Sequence, residues 1–261
     1  MNNILLTFDV EEFDLPLEFG QSITQEQIFE IPKQGLIDLL SLLDKYNIRA
    51  TFFTTAKFAK KHPSLIKEIS QKHEIACHGY EHSDSYIKDI SKIQIAKAEI
   101  EKIIGKKVKG FRAPRFEIQD IYLLSGLGFS YDSSVHPTVI PGRYMNLFKK
   151  RKVHKINEII EIPLSVLPII RFPIFWLAFK NFPLFYSKAF TKINFLSNDY
   201  TMLIFHPWEF ADLSQFNIPT YIKKKSGQDL LKMLEEYIIF CIRSGYEFST
   251  IQDYLLEHKF L

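Results

Sequence analysis

Short runs rich in Ile, Leu, Phe and Thr recur along the chain, separated by longer stretches whose apolar residues return every three to four positions. That alternation leaves few folds open. Residues 4–9 read as a first strand, too apolar to be half exposed, and residues 48–54, 74–77, 108–112, 129–133, 159–163, 200–205 and 247–250 as others. Helical periodicity covers 32–46, where Leu36, Leu39, Leu40 and Leu43 share a face, and then 56–72, 85–104, 119–127 and 227–244. Strands alternating with helices imply a parallel barrel or a doubly wound sheet. Polar residues stand where the runs end, at Asp9, Thr54, His78, Arg112, Asp132 and His206. Barrels gather their chemistry at the carboxyl ends of strands, so a barrel is favoured. No internal repeat or linker divides residues 1–261, which read as a single α/β domain.

Composition excludes several classes. With 46% hydrophobic residues the chain buries enough surface to fold, which excludes disorder. A net charge of +3, from 33 basic and 30 acidic side chains, argues against wrapping nucleic acid. Cys77 and Cys241 are too few for a disulfide framework and read as reduced core residues. The start, Met1-Asn2-Asn3-Ile4-Leu5-Leu6, lacks a basic segment before a long apolar one, and no run approaches the roughly 18 apolar residues of a spanning helix. The expected location is the cytoplasm.

Four short motifs hold the candidate chemistry. In His78-Gly79-Tyr80-Glu81-His82 the two imidazoles, four positions apart, would share one face of a helical turn and could share a metal. A surface pair of histidines is the commoner meaning of that spacing, but here the first His follows an apolar strand and a glycine lets the backbone turn. Asp9-Val10-Glu11-Glu12 supplies carboxylates at the end of the first strand. Residues i and i+2 of an extended chain project to one side, so Asp9 and Glu11 face the same space, one to bind metal and the other to act as base. Arg112-Ala113-Pro114-Arg115 places a strand-end guanidinium where it can orient a buried carboxylate. His206-Pro207-Trp208-Glu209 sets a histidine after another strand, positioned for general acid work.

In the order D-x-E, H-x-x-x-H, R-x-P and H-P, these motifs resemble the polysaccharide deacetylase family (NodB homology, carbohydrate esterase family 4). The matching segments, 7–12, 50–53, 78–82, 110–116, 131–134 and 203–210, span nearly the whole chain. Phe-Arg-Ala-Pro, Tyr-Asp-Ser-Ser and Phe-His-Pro-Trp-Glu-Phe are most similar to the subgroup tied to bacterial exopolysaccharide and lipopolysaccharide gene clusters. The resemblance implies a distorted parallel (β/α)7 barrel and a divalent metal, usually Zn2+. It implies Asp9 as general base, His78 and His82 as metal ligands, His206 as general acid, Arg112 as the residue orienting the base, and the Arg115 backbone N–H as oxyanion donor. Most members carry two adjacent aspartates in the first motif. Here the second position is Val10, which binds no metal, so Glu11 is assigned as third ligand, with Glu12 the other candidate. For the acidic partner of His206, Asp132 and Glu161 are candidates, neither cleanly matched.

The resemblance further implies removal of an N-acetyl group from an amino sugar, nucleotide-, lipid- or polymer-linked, in surface-polysaccharide synthesis. Two other readings stand beside it: hydrolysis of a non-sugar amide, ureide or formamide, and a silent glycan-binding protein. An aromatic-rich insertion near 165–197 contains Phe172, Phe175, Trp176, Phe179, Phe182, Phe185, Tyr186, Phe190 and Phe195, with Lys149-Lys150-Arg151-Lys152 nearby. It reads equally as a layer over the barrel or as a peripheral membrane-surface helix, with Phe175, Trp176 and Phe179 as the face to test.

Overall fold

The computed structural model describes residues 2–82, 90–117, 120–141 and 144–261. Seven of the apolar runs form parallel strands: β1 (Asn3–Val10), β2 (Thr51–Thr54), β3 (Glu74–Cys77), β4 (Gly110–Phe111), β5 (Tyr131–Asp132), β6 (Ile159–Glu161) and β7 (Tyr200–Phe205). They lie in the order β7-β1-β2-β3-β4-β5-β6 in one curled sheet, each pair parallel. The seven-stranded distorted barrel expected from the sequence is met, and its distortion has a location. Among the described residues no ladder joins β6 to β7. Side chains cross there instead: the Met202 N–H donates to Ser165 Oγ at 2.8 Å and the Tyr200 hydroxyl to the Pro163 carbonyl at 2.7 Å. The remaining strand expected at 247–250 is a two-residue piece, Glu247–Phe248, paired with the start of β1.

Strand parity sorts the side chains. Leu5, Phe53, Ala76, Tyr131, Ile160, Met202 and Ile204 pack together inside the sheet, capped by Ile251, Tyr254 and Leu255 of the helix Ile251–Glu257. Their neighbours Ile4, Leu6, Phe8, Phe52, Ile75, Cys77, Phe111 and Leu203 face the outer helices. The period of two in a strand imposes this split. It also sorts the six strand-end polar residues. Asp9, His78, Arg112 and His206 share parity with the interior set, whereas Thr54 and Asp132 share it with the outer one.

Two helical boundaries differ from expectation. The first long helix runs Gln25–Lys45 instead of opening at Pro32, because Thr24 and Gln27 form a reciprocal cap seven residues earlier. Pro32 removes one helical N–H, and the Ile28 carbonyl that would have received it accepts the Phe13 N–H at 3.0 Å. The helix expected over 56–72 is split at Pro63 into Ala56–Lys61 and Pro63–Lys72. Of the helices expected over 85–104 and 119–127, Ile90–Ile104 and Leu123–Gly126 are seen; residues 83–89 and 118–119 lie outside the described residues.

Gly35 lets the first long helix seat against the turn after β7. A Cβ there would lie 1.9 Å from the Pro207 carbonyl oxygen and 3.1 Å from the Ala211 nitrogen. Gly35→Ala is therefore expected to cost about 1–3 kcal/mol of stability, read by thermal unfolding, since neither backbone can yield cheaply.

Candidate active site

The interior-facing parity of β1 carries past its end. Asp9 and Glu11 both enter a cleft of about 340 Å³ at the carboxyl ends of the strands, which His78, His82, Arg115 and His206 also line. Glu11 is buried, and its two oxygens serve different neighbours. Oε2 lies 3.2 Å from His78 Nε2 and 3.5 Å from His82 Nε2; Oε1 lies 3.7 Å from His206 Nε2 and accepts the Trp208 indole N–H at 3.4 Å. Burial alone would raise its pKa, but the imidazoles of His82, His206 and His78 overcome that and hold the carboxyl well below its usual range. Glu12, one residue on, also lines the cleft but is held by another neighbour. Its Oε1 accepts the Thr55 hydroxyl at 3.2 Å, and burial pushes its carboxyl up to about 7.

Arg112 is the hub beneath. Its guanidinium is fully buried and every N–H is used. Nη1 donates to Asp9 Oδ1 at 2.8 Å and to Thr7 Oγ1 at 3.0 Å, Nε to the Ser133 carbonyl at 3.1 Å, and Nη2 to Ser133 Oγ at 3.1 Å and Met202 Sδ at 3.2 Å. Its plane lies 4.0 Å over the Phe53 ring. The Arg112 backbone carbonyl receives the His78 Nδ1–H at 2.9 Å, which sets the imidazole tautomer. In that tautomer the His78 Nε2 lone pair faces a Glu11 oxygen at 3.2 Å. Two electron pairs at that distance repel unless a proton or a cation stands between them.

The His78–His82 pair is not on a helical turn as expected. Gly79 sits at φ +76°, and the segment is a loop that brings His82 back toward Glu11. Burial would lower the His82 pKa, but the carboxylates of Glu11 and Asp14, the latter 3.6 Å from Nδ1, raise it to about 9. Arg115 holds left-handed backbone geometry, φ 55°, and its side chain reaches Glu18 at 2.8 Å.

The acidic partner of His206 is neither Asp132 nor Glu161. Those two pair with each other across β5 and β6, behind the interior face, where burial raises both. The partner is Glu209, whose Oε1 accepts the His206 backbone N–H at 2.8 Å and lies 3.1 Å from Nδ1. The sequence carried the signal: an acid three residues after a helix-capping position. Burial acts to lower the His206 pKa, and Glu11, Glu209 and Asp9 together raise it. Behind Glu209 stands Lys180, fully buried, its ammonium 3.4 Å from Oε2 and donating to the Ile222 carbonyl at 2.6 Å. Lys180 stands among aromatics in the sequence, and nothing local betrays its burial.

The aromatic segment forms the helices Trp176–Asn181 and Leu184–Asn194. The face singled out for a membrane is turned inward. Phe179 packs on Phe205 and Tyr237, while Trp176 meets the edges of His206 and Trp208, 5.4 and 5.5 Å away.

Behind Phe116, Tyr144 and Phe175, which line the cleft, His136 is buried against Phe116 and Phe175, with Nδ1 2.7 Å from the Tyr144 hydroxyl. Burial pushes its imidazole down to about 3. The unfolded chain binds this proton below pH 6.5, the folded chain only near pH 3, so folding weakens as pH falls through that window. From pH 8 to pH 5 the loss is about 2 kcal/mol. His136→Phe is expected to remove that component of the acid slope in denaturant titrations, whatever constant offset it adds.

As to a metal, among the described residues no three His, Cys, Asp or Glu side chains form a ready-made ligand set. Even so, two imidazoles converging on one buried carboxylate, with a lone pair aimed at it, is the donor chemistry of a catalytic zinc site. The residues present fit a divalent cation.

A sequence profile described as "Polysaccharide deacetylase" matches residues 2–131. Over 91 residues, a third of this chain, the sequence is 33% identical to the peptidoglycan-N-acetylmuramic acid deacetylase PdaA of Bacillus subtilis, and the match spans 35% of that relative's length. Among solved structures, a putative polysaccharide deacetylase from Mycobacterium smegmatis superposes with a TM-score of 0.64 at 19% identity, covering 98% of this chain and 89% of that one. Puue allantoinase also gives 0.64, at 15% identity over 96% and 88%. At these identities the structural likeness speaks for the fold alone.

Proposed function

Since the chain belongs to the polysaccharide deacetylase family, we propose that its cleft hydrolyses the N-acetyl group of an amino sugar, with a divalent metal as cofactor. The observation carrying this reading is the convergence of Glu11, His78 and His82 beside Asp9, with His206 on the opposite side of Glu11. Glu11, His78 and His82 would hold the cation, Zn2+ by their donor types. When bound, it supplies Lewis acidity and makes water a nucleophile near neutral pH.

The chain's own groups divide the remaining work. Asp9, held by the Arg112 guanidinium, takes the proton of the attacking water. The Arg115 peptide N–H, in a backbone bend strained for a non-glycine residue, donates to the developing oxyanion. His206 protonates the departing amine, since an amide nitrogen leaves poorly as an anion. Glu209 orients that imidazole through Nδ1, and Lys180 holds Glu209 in place. The trivial names of the relatives point to glycans, and the substrate proposed is an N-acetylated sugar of a surface polysaccharide or of its lipid-linked precursor, met at the inner face of a membrane.

The test is release of acetate from a panel of acetylated sugars by metal-loaded protein and by Asp9→Asn. Turnover by the parent, reduced about 100- to 10,000-fold in the variant, is expected. Formate or ureide products would move the site to non-sugar amides. Sugar binding without turnover would make it a silent glycan binder.

A further inference from the structure

Beside the catalytic cleft, and continuous with it, lies an apolar groove of about 520 Å³; Ile140, Phe175, Leu177 and Tyr221 line both. Large apolar side chains stand in solvent around it. Phe148 and Ile169 are each 94% exposed, Ile170 69% and Phe185 62%. They belong to one surface. Phe172 packs on Phe182 at 5.7 Å, Phe182 on Tyr186 at 5.3 Å and Tyr186 on Phe185 at 4.5 Å, while the Arg171 guanidinium donates to the Lys149 carbonyl at 3.1 Å. A contiguous exposed apolar set of this kind marks an interaction site.

Charge says which kind. Residues 133–157 and 162–198, from which most of the groove's lining comes, contain ten Lys and Arg, of which Lys180 is buried, and no Asp or Glu. The remainder of the chain, with 23 basic and 30 acidic residues, is net acidic. Lys149, Lys150 and Lys152 are exposed next to Phe148. Exposed apolar tips beside Lys149, Lys150 and Lys152 complement a surface with anionic headgroups over an apolar layer. A second copy of this chain would instead set cation against cation. No helix of the described residues is long and apolar enough to cross a membrane, so contact would be with the surface.

We infer that this face docks the protein on an anionic bilayer, with the groove and the cleft mouth at the interface. This rests on the deacetylase reading above, to which it adds a substrate presented by a lipid surface. The exposed set is Phe148, Ile169, Ile170 and Phe185, not the Phe175–Trp176–Phe179 face that the sequence suggested, in which Phe179 is buried and the other two are half-buried.

The test is flotation of the whole chain with phosphatidylcholine vesicles, with and without phosphatidylglycerol. The parent is expected to float only with the anionic vesicles, and less at high salt. Phe148→Ser/Ile169→Ser/Phe185→Ser, which changes only exposed side chains, is expected to cut the bound fraction about tenfold or more. Lys149→Glu/Lys150→Glu/Lys152→Glu should do the same. Both variants should keep the parent's turnover of a soluble acetylated oligosaccharide. A parent that does not float, or a triple-Ser variant that floats equally well, overturns the inference. So does a non-floating parent whose dimer the triple-Ser variant breaks, which would assign the face to self-association. Failure of the deacetylase reading looks different: vesicle binding persists and the soluble substrate is untouched.

Discussion

Arg112→Met is expected to lower the unfolding free energy by about 3–5 kcal/mol in denaturant titration, with activity lost in parallel. Methionine replaces the packing of the stem but none of the five N–H donors. It leaves the Asp9 carboxylate, 2.8 Å from Nη1 in the parent, buried without its partner. Thr7, Ser133 and Met202 lose a donor as well. The cost of such a pair is mostly the penalty of stranding one member. Adding Asp9→Asn to Arg112→Met is therefore expected to recover part of the loss, because a neutral amide no longer requires a cation. The double variant should be more stable than the summed single effects by about 0.5–3 kcal/mol. Strict additivity would mean that Arg112 is not energetically coupled to Asp9.

Glu11→Gln is expected to reduce hydrolysis about a thousandfold or more while the fold persists, the scale of several kcal/mol of lost transition-state charge stabilisation. The carboxylate meets His78 and His82 through one oxygen and faces His206 through the other. A carboxamide removes the negative charge and one acceptor from the centre of that group. Elemental analysis after dialysis should show divalent metal retained by the parent and lost from the variant. Glu12→Gln, facing Thr55, is expected to stay within about tenfold of the parent in activity. Reversed results for the two variants would make Glu12 the ligand.

Much of this site was legible before any coordinates. Asp9 and Glu11 were paired by a spacing of two, and the structure places both in the cleft. His78 was read from its position at the end of a strand, and it sits there. The two histidines come together near Glu11 as expected, but for another reason: a loop through Gly79 instead of a helical turn. Where expectation failed, it had treated all strand ends as equivalent. Asp132 and Glu161 were sought as partners of His206, yet parity turns them behind the interior face, while the true partner lay three residues away in the motif already in hand. Lys180 shows the limit more sharply. A lysine amid phenylalanines reads as solvated, and only the approach of residues 209 and 222 makes its burial tolerable.

The sequence by itself determined which residues share a side, because side-chain alternation along a strand follows from covalent geometry and needs no partner. Tertiary structure decided which sides meet: Glu11 and His78, 67 positions apart, face each other only because β1, β2 and β3 are hydrogen-bonded in parallel register. It also decided which charges could be buried at all, since desolvating Arg112, Glu209 or Lys180 is tolerable only once their partners from distant segments have arrived.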